Sequence, residues 1–152
     1  MDFVGEASDL SRFDDKVFDT IYSSHTLEHI SYWNDLIPTL KEWGRVLKDD
    51  GRILVSVPNL DVLCSQFSDS ATTPKQRYNL MRIIYGGQYH EYDYHYGGFN
   101  MAIMKHFARH ANLFVEKRVK QFNLFKDTSN YKVNNELISL NVVLAKNNVE
   151  NS

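Results

Sequence analysis

The sequence has 152 residues, of which 43% are hydrophobic and 24% charged, and its formal net charge is -2. These values are typical of one soluble globular domain and exclude disordered and collagen-like classes. The small charge gives no electrostatic attraction to nucleic acid or membranes, and no apolar run approaches the ~18 residues that span a bilayer. Cys64 has no partner for a disulfide, and the N-terminus is unlike a signal peptide, so we predict a cytoplasmic protein.

The first half of the chain predicts two strands around one helix. Residues 2–4 are predicted as the end of a short strand, and Phe18–Ser24 as a full strand that runs into small polar residues. A helix is predicted from its N-cap Asp35 and ends at Gly51, which suits a left-handed turn. Residues 52–58 are apolar enough for a strand inside a sheet that is covered on both faces.

The second half predicts two helices followed by two strands. Thr73 and Pro74 begin one helix, and residues 100–110 form the next. Residues 114–122 and 137–145 are predicted as strands that pair in antiparallel fashion, because no helix lies between them. The order predicts one α/β domain over residues 1–146, with a mostly parallel sheet, an antiparallel C-terminal edge strand and a polar tail over residues 147–152.

Three segments carry a resemblance to a known family: FDTIYSSHTLEH at residues 18–29, LKEWGRVLKDDG at 40–51 and ILVSVPN at 53–59. In this order they resemble the second half of class I S-adenosylmethionine-dependent methyltransferases. The segments there form the fourth strand with the active-site loop, a helix, and the fifth strand. The resemblance implies a Rossmann-like three-layer fold, S-adenosylmethionine as methyl donor, and an oxygen or nitrogen of a small or carbohydrate-like molecule as acceptor.

The family's Gly-rich turn, which follows its first strand, has no counterpart in this sequence. We therefore predict a sheet that is truncated on its N-terminal side, with Asp19 to Ser23 as an unpaired edge. Because such an edge tends to recruit another strand, a homo-oligomer or a partner chain is expected there. Two alternatives stay open: a binding or assembly module without catalysis, and a donor-degrading enzyme built from two copies.

The resemblance also implies which residues bind the donor. Glu6 and Ala7 correspond to the acidic–Ala pair that contacts the adenine, and Ser23, Ser24 and His29 follow the strand whose end faces the donor. Ligands of open α/β sheets bind at the carboxyl ends of the strands, which agrees with this placement. A solvated carboxylate is the alternative for Glu6, and a structural hydrogen bond is the alternative for His29.

Three histidines are predicted to remove the acceptor's proton: His25, His90 and His95. An unperturbed imidazole titrates close to neutral pH, which suits a general base. His25 and His29 are four residues apart, as in helical metal sites, but they lack the His-Glu-x-x-His order of zinc proteases. We predict no metal, and leave that pair as an alternative.

The stretch 88–96 alternates tyrosines with ionisable side chains. Tyr92, Asp93 and Tyr94 are predicted to bind the acceptor, because tyrosine rings pack on sugars or aromatic molecules and a carboxylate orients a hydroxyl group. A Tyr-rich lid without a chemical role is the alternative. A metal site made by His90, Asp93 and His95 is a further, less favoured one.

Overall fold

The computed structural model describes residues 4–147. Its helices are α1 Leu36–Val46, α2 Leu60–Ser68, α3 Pro74–Tyr85 and α4 Met101–His110. Its strands are β1 Phe18–Ser24, β2 Leu47–Pro58, β3 Leu113–Val119, β4 Lys132–Val133, β5 Glu136–Leu137 and β6 Ser139–Lys146. Of the strand end predicted at residues 2–4, Val4 is described and is not in a strand, and the rest lies outside the described residues. None of the helices within residues 4–147 has the length and apolar character that crossing a bilayer needs.

The main sheet has the strand order β1-β2-β6-β3. β1 and β2 are parallel, and β6 is antiparallel to both β2 and β3. The predicted α/β class is confirmed. The prediction of a mostly parallel sheet is wrong, because two of the three strand pairings described in this sheet are antiparallel, and the edge placement of the C-terminal strand is also wrong. β6 lies inside the sheet because its residues up to Ala145 are buried, whereas β3, which carries exposed residues, forms the edge.

β1 forms the other edge of the sheet. Among the described residues it pairs with β2 alone, so no strand lies along its second side. This is the edge, Asp19 to Ser23, at which the sequence predicts a second copy or a partner chain. The association itself stays a prediction.

The main hydrophobic core lies between one face of the sheet and helices α1 and α4. The register places Val55 of β2 opposite Val142 of β6 and Ile53 opposite Leu144, so their side chains share a face. Trp43 of α1 packs in the same buried cluster. Each large apolar side chain that is fully buried contributes about 1.5–3 kcal/mol, so this cluster dominates the stability of the fold.

Helices α2 and α3 form a smaller core with Leu63, Leu80 and Ile138. The predicted start of α3 is confirmed, since Thr73 and Gln76 form a reciprocal capping box. α2 was not predicted from the sequence.

Gly51 does not end a helix, which corrects the prediction. Helix α1 ends at Val46 and β2 begins at the next residue, and Gly51 lies inside that strand without a positive φ. A Cβ atom at Gly51 would lie 2.7 Å from Leu47 Cγ and 2.9 Å from the backbone oxygen of Asp19. The position therefore needs glycine because the β1 backbone passes close by.

Tyr22 joins the edge strand to the loop before β4. Its hydroxyl donates to Asp127 Oδ2 at 2.6 Å, and its ring packs against Phe125 with centroids 5.1 Å apart. Burial alone would raise the pKa of Asp127, but hydrogen bonds from Ser129 and Tyr22 outweigh burial and hold that pKa below its usual value. The stabilisation that the folded protein gains from these hydrogen bonds to Asp127 is therefore fully present above the ordinary carboxyl pKa. It is lost as pH falls through the lowered pKa of Asp127.

We expect Tyr22→Phe to lower the free energy of unfolding by on the order of 1 kcal/mol at pH 7, because one hydrogen bond to a carboxylate is lost. The difference in the free energy of unfolding between the variant and the unsubstituted protein is expected to shrink as pH falls, since Asp127 becomes protonated. Urea unfolding between pH 7 and pH 3 measures it. Tyr78→Phe, at an exposed position of α3, is the matched control and is expected to change nothing. A difference that stays constant with pH would contradict the assignment to Asp127.

Candidate functional site

The chain turns sharply where β1 ends. His25 has a φ of 51°, and its backbone N–H donates to the Ser56 oxygen of β2 at 2.8 Å. A short 3-10 turn, Leu27–His29, follows directly. Because β1 and β2 are parallel, this turn lies at the carboxyl end of both strands, where α/β folds bind their ligands.

Glu28 is the centre of the site. Its side chain is 1% exposed, and neither carboxylate oxygen has a hydrogen-bond partner among the described residues. His25 Nδ1 lies 3.2 Å from Glu28 Oε1, which is close enough for an ion pair although the ring N–H does not make an aligned hydrogen bond. A buried carboxylate is costly unless a cation or donors compensate it. The site is therefore built to receive positive charge or protons.

His25 connects Glu28 to the start of β6. Its Nε2 lies 3.0 Å from the Ser139 hydroxyl, which itself donates to the Thr128 backbone oxygen at 3.2 Å. Because the Ser139 hydroxyl gives its one proton to Thr128, His25 Nε2 is the donor in its contact with the Ser139 oxygen. Nε2 can accept a proton only when that contact is released and the ring proton moves to Nδ1, on the side that faces Glu28. The ring is thus oriented from both sides.

His29 and His95 meet beside Glu28, although they are far apart in the sequence. Their rings stand edge to face with centroids 4.6 Å apart, and His29 Nδ1 lies 3.2 Å from the Tyr94 backbone oxygen. Burial lowers the pKa of His95, and the nearby Glu28 charge only partly offsets burial. The ring of His95 is therefore neutral at pH 7.

The Tyr-rich stretch is a loop that leaves α3 and returns to it. Gly86 has a φ of 85°, and the N–H of His95 donates to the Tyr85 oxygen at 3.1 Å, which closes the base of the loop. The N–H of Tyr96 donates to the Glu28 backbone oxygen at 2.7 Å and attaches the loop to the turn after β1. These backbone contacts place His95 in the site.

The side chains of the other predicted residues of this loop make no hydrogen bond to the Glu28 carboxylate. Tyr92 and Tyr94 are 69% and 42% exposed, and the Asp93 carboxylate accepts from the Tyr89 N–H at 3.3 Å. His90 is exposed, with its ring centroid 6.3 Å from that of Tyr92. Of the predicted proton acceptors, the structure brings together His25 and His95 with Glu28, and it does not bring His90 to them.

The residues predicted to bind the donor fall into two groups. Glu6 is exposed and Ala7 is half-buried, and both line a cavity of about 480 Å³ formed by residues 4–13. The Ala7 backbone oxygen accepts from the Trp43 indole N–H at 2.7 Å, which fixes this loop on helix α1. Ser23 is 5% exposed, and its hydroxyl has no hydrogen-bond partner among the described residues. Ser24, the next residue, points to the opposite face of the strand, towards Tyr22 and Asp127.

Sequence reasoning missed Glu28 and Ser139 as members of the site. Glu28 lies in the segment 18–29 that carries the family resemblance, and the sequence predicts no separate role for it. Its burial results from the loop that closes over it, which no local pattern shows. Ser139 had no signal, since it begins an apolar strand.

Comparisons with known proteins agree with the fold. Residues 2–55 match the family described as a methyltransferase domain. No curated protein matches the sequence. Similar solved structures include the putative methyltransferase of Haloferax volcanii in complex with the Trm112 activator, at 18% identity and a TM-score of 0.58 over 95% of this chain and 60% of that chain. The PH0226 protein of Pyrococcus horikoshii has 20% identity and a TM-score of 0.59 over 95% of this chain and 58% of that chain.

A third similar structure is the 1,6-didemethyltoxoflavin-N1-methyltransferase of Burkholderia thailandensis, which was solved with S-adenosylhomocysteine bound. It has 15% identity and a TM-score of 0.54 over 92% of this chain and 48% of that chain. The chain thus spans 60% or less of the length of these three structures. The resemblance to class I methyltransferases that the sequence indicates is confirmed, and the sheet and its helices have the fold of that family.

Proposed function

We propose that this chain is part of an S-adenosylmethionine-dependent methyltransferase that acts on an oxygen or nitrogen of a small or carbohydrate-like acceptor. The observation that carries the proposal is the buried Glu28 with His25 beside it, at the carboxyl end of the parallel strands. When bound, the donor supplies an electrophilic methyl group. His25, oriented by Glu28, then receives the proton of the acceptor on Nε2, which requires the acceptor to take the place of the Ser139 hydroxyl.

We propose that the described residues contact one side of the donor. The buried Ser23 hydroxyl lacks a partner among them and provides a polar contact at the strand end. Glu6 lines the cavity of the 4–13 loop and has a carboxylate that accepts from an adenine amino group. A Gly-rich turn for the methionine and ribose groups is not part of this sequence. We propose that a second copy or a partner chain at the β1 edge supplies those contacts.

Calorimetry with S-adenosylhomocysteine tests the proposal. The chain, measured at concentrations high enough to populate a self-associated form, is expected to bind with a Kd between about 1 μM and 1 mM. Glu6→Gln is expected to weaken binding about two- to tenfold, because one charge-assisted hydrogen bond to the adenine is lost. Glu91→Gln, on the exposed loop after α3, is the matched control and is expected to leave the affinity unchanged.

Absence of binding heat at 1 mM ligand across all protein concentrations would contradict the proposal. It would favour the alternative of a binding or assembly module without donor affinity. Equal weakening by Glu6→Gln and Glu91→Gln would remove Glu6 from the donor site while leaving donor binding itself intact.

A further inference from the structure

Glu28, His29 and His95 form a cluster with the dimensions of a metal site. One ligand atom from each residue lies within 4.8 Å of the other two. An ion placed between the three atoms can lie no more than about 2.8 Å (4.8 divided by the square root of three) from each, against ordinary zinc–ligand distances of ~2.1 Å.

The carboxylate of Glu28 gives a second, independent indication. It is 1% exposed and both oxygens lack hydrogen-bond partners among the described residues. Buried charges in proteins are paired with other charges or coordinate metal ions. His25 approaches one oxygen at 3.2 Å, and the carboxylate as a whole still has free acceptor positions for an ion.

The histidines are held as metal ligands usually are. His29 Nδ1 lies 3.2 Å from the Tyr94 backbone oxygen, so a proton there leaves Nε2 for an ion. A metal-bound histidine typically donates its other ring N–H to such a carbonyl oxygen, which fixes the tautomer. His95 is positioned by the backbone hydrogen bonds at the base of its loop.

We propose that Glu28, His29 and His95 bind a divalent transition-metal ion of the zinc class. Two imidazoles and one carboxylate form the donor set of three-ligand zinc sites, which keep a fourth position open, whereas Mg²⁺ and Ca²⁺ prefer oxygen ligands alone. The ion joins the turn after β1 to the loop after α3 and supplies the counter-charge of the buried carboxylate. This inference does not depend on the proposed methyl transfer.

Titration of the full chain with Co²⁺, after removal of metals with a chelator, tests the site. We expect one equivalent of ion per chain, with the visible absorption bands of a low-coordinate cobalt site, and displacement by Zn²⁺. Glu28→Gln and His95→Ala are each expected to weaken Co²⁺ binding at least tenfold, because each removes a ligand. Glu28→Gln keeps the shape of the side chain, so it decides the matter if His95→Ala does not fold.

The matched control is the double variant His106→Ala/His110→Ala. These exposed histidines lie four residues apart on α4 with ring centroids 4.3 Å apart, so they are another pair that could hold an ion. The double variant is expected to bind Co²⁺ as the unsubstituted chain does. Binding that survives Glu28→Gln and His95→Ala but disappears in the double variant would overturn the proposal, as would the absence of any cobalt bands.

Discussion

Replacing Trp43 by alanine is expected to lower the free energy of unfolding by about 3–5 kcal/mol, because a large side chain leaves a cavity in the main core. Trp43 lies on α1, is 3% exposed, and belongs to the buried cluster that includes side chains of α4 and of the sheet. The variant also loses the indole hydrogen bond to the Ala7 oxygen, which holds the 4–13 loop. Urea unfolding followed by circular dichroism measures the loss, and hydrogen exchange reports the release of the loop.

Trp33→Ala is the matched control for this experiment. Trp33 is 82% exposed, and its replacement is expected to change stability by less than about 0.5 kcal/mol. Trp43→Phe separates the two effects, since it keeps most of the packing and loses the hydrogen bond, at a cost of about 1 kcal/mol or somewhat more. Equal losses for Trp33→Ala and Trp43→Ala would contradict the packing described here.

The second large effect is expected for Gly86→Ala. Gly86 has a φ of 85° and a ψ of 164°, a backbone region that is nearly restricted to glycine and costs other residues about 1–3 kcal/mol. A Cβ atom there would also lie 2.0 Å from the Asp93 backbone oxygen, so the base of the loop has to open. We expect a loss of stability of at least that size and displacement of His95 from Glu28, seen as weaker Co²⁺ binding.

Gly97→Ala is the control within the same loop. The nearest atoms to a Cβ at Gly97 lie 3.9 and 4.0 Å away, which is ordinary contact, and its φ is not positive. Its replacement is expected to leave stability and Co²⁺ affinity nearly unchanged. If Gly86→Ala behaves in the same way as Gly97→Ala, the base of the loop does not determine the position of His95.

Local signals predicted those elements whose ends are set by nearby residues. The strand Phe18–Ser24 has the predicted bounds. Helix α3 begins as predicted because Thr73, Pro74 and Gln76 satisfy its first turn without help from the rest of the chain. The same kind of signal precedes α2, where the Asn59 side chain accepts from the Asp61 N–H, and it was overlooked.

Features that depend on distant parts of the chain could not be predicted in this way. The residues next to Gly51 favour a helix stop. The true reason for glycine there is the close approach of the β1 backbone, which depends on the sheet and leaves no signal in the neighbouring residues. The position of β6 between β2 and β3 follows from pairing across long stretches of sequence. Cys64 lies on an exposed position of α2, although its residue type favoured burial.

The candidate site also contains residues that local sequence could place and residues that it could not. His25 and His29 follow β1 directly, so the sequence places them at the carboxyl end of the sheet. The meeting of His95 with Glu28 depends on backbone hydrogen bonds between the loop and the turn, which side-chain patterns do not reveal. His90 has the same residue type as His95 and a neighbouring position, yet it points to solvent.

The internal position of β6 sets the timing of folding during synthesis. β2 ends at residue 58 and its antiparallel neighbour begins at residue 139, so a ribosome working at ~5–20 residues per second needs about 4–16 s to deliver that neighbour. Throughout this interval one side of an apolar strand is without hydrogen-bond partners. Such an unpaired strand edge can pair with another chain, so slow translation of the intervening region is expected to prolong exposure to aggregation.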